Sequence, residues 1–536
     1  MSGRTRLFAT ERTRLWAAAL TGLGLGVLAL GPGLAGGFVL SYDMVFVPDP
    51  VFSRFTFGLT GTVPRHVPSD AFVTALSTLI PGDLVQKLVL LAVFVMACTS
   101  AAALVPSERL PARLAAGVCY AWNPFVAERL LLGHWALLLG YAALPWVVGA
   151  ACVVTERGGG WRLARALLPA AVGGFAAMAV SGLTAVIVAV TATSARARAF
   201  GRTAVAVVVL SSPWLITGLL RPSGLPADRA AVEAFAARAD TPFGTLGSLL
   251  LLGGGWNRET VPTGYGMALT ATAWLAVVAV ALVVYALGRR SAGPGHRWTK
   301  GLGLAAVVGF AVASLGAVAP ALLERLIAAW PGFAVFRDGQ QYVAPVAVVV
   351  AVGLGLGVDR ITRGDLAGRA MGVLAVLVPV ALLPSLAWGA GGRLHAVDYP
   401  RDWARARAII EADRAPGEVL VLPWAAHRGY RWNDRRRVLD PLPRYLHREV
   451  IVNDAVTVGS VVIPAEDPRV RELDPLIRSG AELTGPLRAA GVRYVFVDDP
   501  FPGATAPGTT APRDRLAGAE LLLDRPDVTL FRIPRA

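Results

Sequence analysis

Three short polar clusters interrupt an otherwise apolar chain, and their residue types limit the chemistry open to it. The first reads Leu40-Ser41-Tyr42-Asp43-Met44-Val45-Phe46-Val47-Pro48-Asp49-Pro50 and follows a long apolar run directly. Asp43 lies nearer the apolar boundary than Asp49, where desolvation raises a carboxyl pKa towards the range useful for accepting a proton, so it is the candidate general base. A solvated or helix-end Asp is the structural alternative. The same stretch carries Arg54, Arg65, His66, Asp70 and Asp83, and the two last, each ahead of an apolar stretch, read as helix caps.

The second cluster runs from Tyr120 to Trp135 and contains Asn123-Pro124, then Glu128, Arg129 and His134. Asn-Pro breaks a helix, and ionisable groups left inside apolar sequence need partners. Adjacent residues on a helix do not face each other, so Glu128 and Arg129 are each expected to find a different partner. The third cluster, Trp330 to Tyr342, offers Arg337, either a bidentate donor to a lipid phosphate or an interfacial anchor. Gly253-Gly254-Gly255 has no phosphate-binding strand before it and carries little information. In the tail, His427 to Asp434 followed by Arg435-Arg436-Arg437 interleaves aromatics with Arg, which suits sugar stacking or anionic headgroups, although a solvated loop is the simpler reading. No zinc motif, Walker loop or nucleophile elbow is present.

The elements that position these clusters follow from composition. Of 536 residues, 55% are hydrophobic and 16% charged, with a mean hydropathy of +0.56, so a bilayer is the natural solvent. The net charge of +15 does not point to nucleic acid, because Arg concentrates in short segments between apolar runs, the positive-inside pattern. Lysine occurs only at Lys87 and Lys300, a composition typical of high-GC bacteria. Cys98, Cys119 and Cys152 fall in or beside apolar runs and read as small core hydrophobes, not as a disulfide or zinc framework. The basic start (Arg4, Arg6, Arg12, Arg14) and the apolar run from Leu15 to Leu40 read as an uncleaved first span.

About eleven spans are expected, at 15 to 38, 84 to 105, 112 to 124, 135 to 154, 166 to 180, 182 to 193, 203 to 220, 265 to 288, 301 to 320, 340 to 357 and 370 to 388. The basic loops around Arg157 and Arg198 favour a hairpin turning near Ser181-Gly182. Arg109, Arg113, Arg289, Arg290, His296, Arg297, Lys300, Arg360, Arg363 and Arg369 then fall on the cytoplasmic side together with the N-terminus. Segments 39 to 83, 125 to 134, 221 to 264 and 321 to 339 face outwards, as does everything after 389. Residues 1 to 388 form the membrane domain on this reading. The chain from 389 to 536 alternates strand-like runs (Val419 to Leu422, Val450 to Val452, Val492 to Val497, Val528 to Ile533) with helix-like stretches such as Trp403 to Ile410 and Asp474 to Ala490, which gives an extracytoplasmic α/β domain. The localisation that follows is a multi-pass protein of a bacterial plasma membrane.

The Asp just after the first span, the Asn-Pro-Phe to Leu-Pro-Trp run from Asn123 to Trp146, and Phe336-Arg337 resemble the bacterial GT-C superfamily of membrane glycosyltransferases. The similarity is to actinobacterial relatives of the arabinofuranosyl- and mannosyltransferases and, more distantly, to membrane proteins of the YfhO type. The resemblance implies a GT-C-like fold, a polyprenyl-phosphate sugar donor, an envelope glycan or lipid acceptor outside the membrane, and inversion at the anomeric carbon. It maps the proton-accepting carboxylate onto Asp43, and the carboxylate that serves the donor phosphate or a divalent metal (Mg or Mn) onto Glu128. Arg129 and Arg337 would offset charge on the departing phosphate, with His134, Asp49 and Arg54 completing the substrate-binding set. One departure is that no Asp-Asp or Asp-Glu pair stands in the first loop. The competing functions are a transporter or flippase of a lipid-linked precursor, and a non-catalytic envelope-assembly scaffold. A transporter is expected to hold its charges near mid-membrane, whereas most of the outer polar residues here lie at span ends.

Overall fold

The computed structural model describes residues 2–220, 229–290, 297–458, 461–498 and 512–535. His296 and residues 221 to 228 of the expected third outer segment lie outside the described residues. The chain forms two compact units. One comprises Met1–Leu34, Lys87–Ile216 and Pro222–Leu394; the other joins Ala35–Gln86 and Thr217–Arg221 to His395–Ala536.

The first unit is a helical membrane bundle. Among the described residues eight helices are long and apolar enough to cross a bilayer, and a ninth is counted if the bent pair Leu366–Leu382 and Pro384–Gly392 acts as one span. Two expected spans fall short of that length. Leu110–Ala121 and Gly159–Val172 have 12 and 14 residues, about 18 and 21 Å of helix against a hydrocarbon core of about 30 Å. The first can be short because protein covers it: Ala112, Ala115, Ala116, Val118, Cys119 and Tyr120 are all buried; the second leaves Trp161 and Leu168 exposed and rests one face, through Ala170, on Gly140 of the Trp135–Cys152 helix. The expected hairpin is also displaced. The chain breaks at Gly173-Gly174, not at Ser181-Gly182, which are buried inside the Gly174–Ala192 helix. Gly174 has φ +76°, and a Cβ on Gly173 would lie 2.2 Å from the Ala136 carbonyl, so the turn needs glycine there.

The basic loops meet at one end of this bundle. Arg113 donates to Glu11 at 2.6 Å, Arg109 to the Thr362 carbonyl at 2.8 Å and Arg363 to Asp359 at 2.6 Å. Arg202 reaches the Val154 carbonyl at 3.0 Å, and Tyr285 donates to the Thr299 carbonyl at 2.6 Å. A shared basic end is what a positive-inside distribution requires. Elsewhere small residues let backbones approach closely. A Cβ on Gly353 would stand 2.0 Å from the Ala281 carbonyl of the Ala268–Arg290 helix.

The second unit is built on a five-stranded sheet in the order Glu520–Arg525, Val528–Arg532, Val492–Asp498, Glu418–Leu422, Val450–Ile451. The strand at Glu418–Leu422 runs parallel to both its neighbours, and the two strands nearest the C-terminus add antiparallel. Its apolar face packs Leu420, Val495 and Val497 against Val470, Leu473 and Ile477 of the Pro468–Arg478 helix. The expected strands are all present, while the stretch expected as one helix from Asp474 to Ala490 is broken into Pro468–Arg478 and Thr484–Ala489.

Residues 35 to 86 join this sheet unit through backbone pairing. Phe38–Val39 pairs antiparallel with Ala396–Val397, and Tyr42 exchanges backbone hydrogen bonds with Arg437 and Leu439 at 2.7 and 2.8 Å. Asp70 was expected as a cap; instead it sits in the first turn of Ser69–Ser77, where no side chain caps the helix, and pairs with Arg444 at 2.8 Å. The aromatic run near 430 is not a solvated loop either. Tyr430 is buried, and with Trp432, Tyr399 and Tyr445 it surrounds the fully buried Trp403 at centroid distances of 5.5 to 5.8 Å. Tyr430, Trp432 and Tyr445 stand edge to face on Trp403, so ring packing inside the unit accounts for this run.

Gly353→Leu should lower the thermal midpoint of the purified protein sharply, since overpacking costs about 1–3 kcal/mol or more where backbone is the obstacle. Gly149→Leu, whose added Cβ meets nothing within 4 Å, should leave the midpoint unchanged. Equal effects of the two substitutions would contradict this packing.

Candidate functional site

Asn123 starts the arrangement. Its side-chain oxygen accepts from the Val126 N–H at 3.1 Å and caps the Pro124–Leu131 helix, while its amide donates to the Cys119 and Tyr120 carbonyls and to the Tyr141 hydroxyl, each at 2.9 Å. Tyr120 and Tyr141 donate to each other's carbonyls at 2.6 and 2.8 Å with rings stacked at 4.2 Å. The Asn-Pro break is thus fixed in place. The short helix it begins is not one of the apolar spans, and it buries both Glu128 and Arg129, each 1% exposed.

Glu128 meets a loop. A Cβ added to Gly253 would lie 2.9 Å from Glu128 Oε1, and one on Gly255 would lie 2.8 Å from Oε2, so the glycines allow backbone to close over the carboxyl. Gly254, at φ +85°, donates its N–H to Asp240 Oδ2 at 2.5 Å. Asp240 in turn hydrogen-bonds to the Glu128 carboxyl. The Ser248 hydroxyl accepts from the Asp240 and Thr241 N–H groups at 3.0 Å and holds this loop. Burial lifts the Glu128 carboxyl well above the usual carboxylate range, and the neighbouring Asp240 pushes the same way. Burial raises Asp240 too, against the opposing Gly254 N–H. Two carboxyls in that state share a proton, with Glu128 as the donor.

Arg129 faces this pair. Its Nη1 stands 3.9 Å from Glu128 Oε2, so the two neighbours approach each other after all, yet beyond hydrogen-bond reach. The guanidinium lies 5.0 Å above the Phe125 ring. Its Nε and Nη1 are buried without a hydrogen-bond partner, as is Glu128 Oε1. Buried donors are normally paired, so an unpaired guanidinium marks a place for an anion.

The other expected residues divide between the units. His134 is half-buried at the start of the Trp135–Cys152 helix, and its N–H donates to the Arg129 carbonyl at 2.8 Å. Arg337 is half-buried between the helical turns Pro331–Phe336 and Gly339–Val343. Gln340 beside it donates to the Phe235 carbonyl at 2.6 Å, and Phe235 packs edge to face on Trp256 at 5.1 Å, so that cluster reaches the same loop that covers Glu128. Asp43, Asp49 and Arg54 belong to the sheet unit. Asp43 is half exposed and faces His427 at 3.4 Å. Asp49 pairs with Arg407 at 3.2 Å, and its carbonyl meets His447 at 3.0 Å. Arg54 donates to the Leu59 carbonyl at 3.2 Å.

No known family matches the sequence, and no curated protein does. The fold does have solved counterparts. The cryo-EM structure of the arabinofuranosyltransferase AftD from Mycobacteria aligns over 98% of this chain and 40% of its own, with a TM-score of 0.64 and 16% identity. A mutant form of AftD, R1389S, aligns over 98% of this chain and 42% of its own at TM-score 0.60 and 17% identity. This chain shares its membrane fold with that part of AftD. It spans about two fifths of the AftD chain, so what is similar is the architecture.

Asp240 is the residue that sequence reading missed. It lies in a long polar segment with no motif, and only the fold brings it to Glu128. The Gly253 to Gly255 run was the available signal, misjudged because it closes over a carboxyl and not over a phosphate-binding strand. Because the folded state keeps a proton on Glu128 that the unfolded chain releases near pH 4.5, stability should fall as pH rises above that value. Glu128→Gln should flatten the fall in thermal midpoint between about pH 5 and 8; an unchanged slope would contradict the shared proton.

Proposed function

We propose that this protein is an integral membrane glycosyltransferase that moves a sugar from a polyprenyl-phosphate donor to a cell-envelope glycan or lipid acceptor outside the membrane, with inversion. The observation that carries the reading is the buried Arg129, with two donor nitrogens lacking a partner beside the Glu128 and Asp240 carboxyls. The donor's phosphodiester supplies the oxygens that a guanidinium of that kind lacks, and negative charge grows on it as the glycosidic bond breaks and polyprenyl phosphate departs. The GT-C fold shared with a mycobacterial arabinofuranosyltransferase supports the same class of reaction. The basic end of the bundle is the cytoplasmic one on this reading, and the Glu128 loop and the C-terminal unit are extracytoplasmic.

In the reaction, Asp43 accepts the acceptor hydroxyl's proton as that oxygen attacks the anomeric carbon. The bond from that carbon to the phosphate oxygen breaks, and its electron pair stays on the phosphate. Arg129 stabilises the charge that develops there, with Arg337 as a second cation and His134 at the helix start beside it. Asp49 and Arg54 lie on the same outer loop as Asp43 and serve acceptor binding. Glu128 and Asp240 are also the residues that would hold a divalent cation such as Mg or Mn. Two carboxyls with one buried oxygen lacking a partner fit a hard cation whose other ligands are water and phosphate. Such an ion would supply further charge neutralisation at the phosphate.

A transporter reading lacks comparable support, because Glu128, Arg129 and Asp240 lie outside the apolar spans. In membranes expressing the protein, Asp43→Asn should reduce glycosyl transfer from polyprenyl-phosphate sugar by about 10²- to 10⁴-fold with expression kept. Full transfer by that variant would remove Asp43 from the role of base.

A further inference from the structure

Asp43 is presented by an unusual turn. Met44 donates its N–H to the Ser41 carbonyl at 2.8 Å, and Ser41 returns the bond at 3.4 Å. Between them Tyr42 has φ +44°, the left-handed region that a bulky side chain seldom occupies. Such a conformation persists only where neighbours enforce it, and they are visible here. Tyr42 bridges in parallel to Val438, and its carbonyl accepts from the Leu439 N–H at 2.8 Å. Leu439 is the register partner of His427 in the hairpin of His427–Gly429 and Arg437–Leu439. The turn therefore lies against a hairpin 384 residues away in sequence, and His427 Nε2 lies 3.4 Å from Asp43 Oδ1. The His427 and Tyr42 rings stand 6.2 Å apart. Arg65 also interacts with Asp43, and it binds Glu466 through both terminal nitrogens at 3.1 and 2.5 Å; Asp454 is a further acidic group that acts on Arg65.

We infer that His427, contributed by the C-terminal part of the chain, is a positioning residue for the Asp43 base: it orients the carboxylate through Nε2 and holds it ionised. The inference rests on the proposed role of Asp43. Its consequence is that the C-terminal part of the chain completes the proton-accepting group. The pairing follows from the strand register, not from side-chain length alone. The bond is charge-assisted whenever the imidazole carries a proton.

The test reads Asp43 directly. The full-length protein in detergent is labelled with a water-soluble carbodiimide and an amine, which capture the protonated carboxyl, and Asp43 labelling is followed against pH by mass spectrometry. His427→Ala should move the labelling midpoint upward by about half a pH unit, the size expected of a partly exposed pair. It should also lower transfer in membranes by roughly tenfold, while His427→Gln, which keeps an N–H donor, should retain most transfer. His395→Gln serves as the control, because His395 pairs with Asp434 in the same unit and should change neither reading. An unchanged Asp43 midpoint in His427→Ala would overturn the inference, as would equal losses of transfer in the Ala and Gln variants. Full transfer by Asp43→Asn would instead overturn the base assignment, whatever the His427 variants do.

Discussion

A guanidinium held away from water, with donors unpaired, costs free energy in every state that leaves it so. Arg129 is in that position: it is 1% exposed, and it has an aromatic face below it and a carboxyl just beyond hydrogen-bond reach. Isolated buried charges are expensive, and replacing them with apolar groups is often neutral or stabilising. The surrounding structure serves to keep Arg129 there. Asn123 fixes the start of its helix, the tyrosine pair locks that start to the next span, and Gly253 to Gly255 bring backbone over Glu128. The proton shared between Glu128 and Asp240 lowers the negative charge that would otherwise cancel the arginine. The cluster then carries one carboxylate charge against the guanidinium in place of two, so Arg129 is not outweighed by its neighbours.

Close approach of backbone recurs as the means of construction. At Gly173, Gly353 and Gly255 a single added carbon would collide with a carbonyl or a carboxyl. Lipid gives helices no hydrophobic reason to associate, so contact area and backbone proximity have to supply the attraction. The same economy explains helices too short to cross a bilayer alone. Leu110–Ala121 and Gly159–Val172 lean on longer neighbours.

Much of this architecture was legible in the sequence. Apolar runs and arginine placement located the helices and the shared basic end, since both follow from transfer of residues between water and lipid. The strands at 418 to 422, 492 to 498 and 528 to 532 were visible as β-branched runs. Less was legible where two distant segments meet. The Gly173-Gly174 turn sits in an unbroken apolar run, so hydropathy gave no sign of it. Asp70 looked like a cap because its partner Arg444 is remote in sequence. Tyr430 and Trp432 looked exposed because Arg surrounds them, yet Trp403 draws both rings inward. At the site, Glu128 and Arg129 stood out as charges in apolar sequence, whereas Asp240 had no local mark and His427 was marked only as part of a run suited to sugars or headgroups. Their roles depend on which loop closes on Glu128 and which hairpin pairs with Tyr42.

The most direct measurement is the thermal midpoint of the detergent-solubilised protein and of Arg129→Met, with and without a polyprenyl phosphate. A ligand that binds the folded state raises the midpoint, and an unpaired buried charge stabilises nothing when the ligand is absent. The account predicts that Arg129→Met without lipid melts no lower than wild type, and that the lipid phosphate raises only the wild-type midpoint. A variant that melts far lower without lipid, or that keeps the full lipid-induced rise, would contradict it.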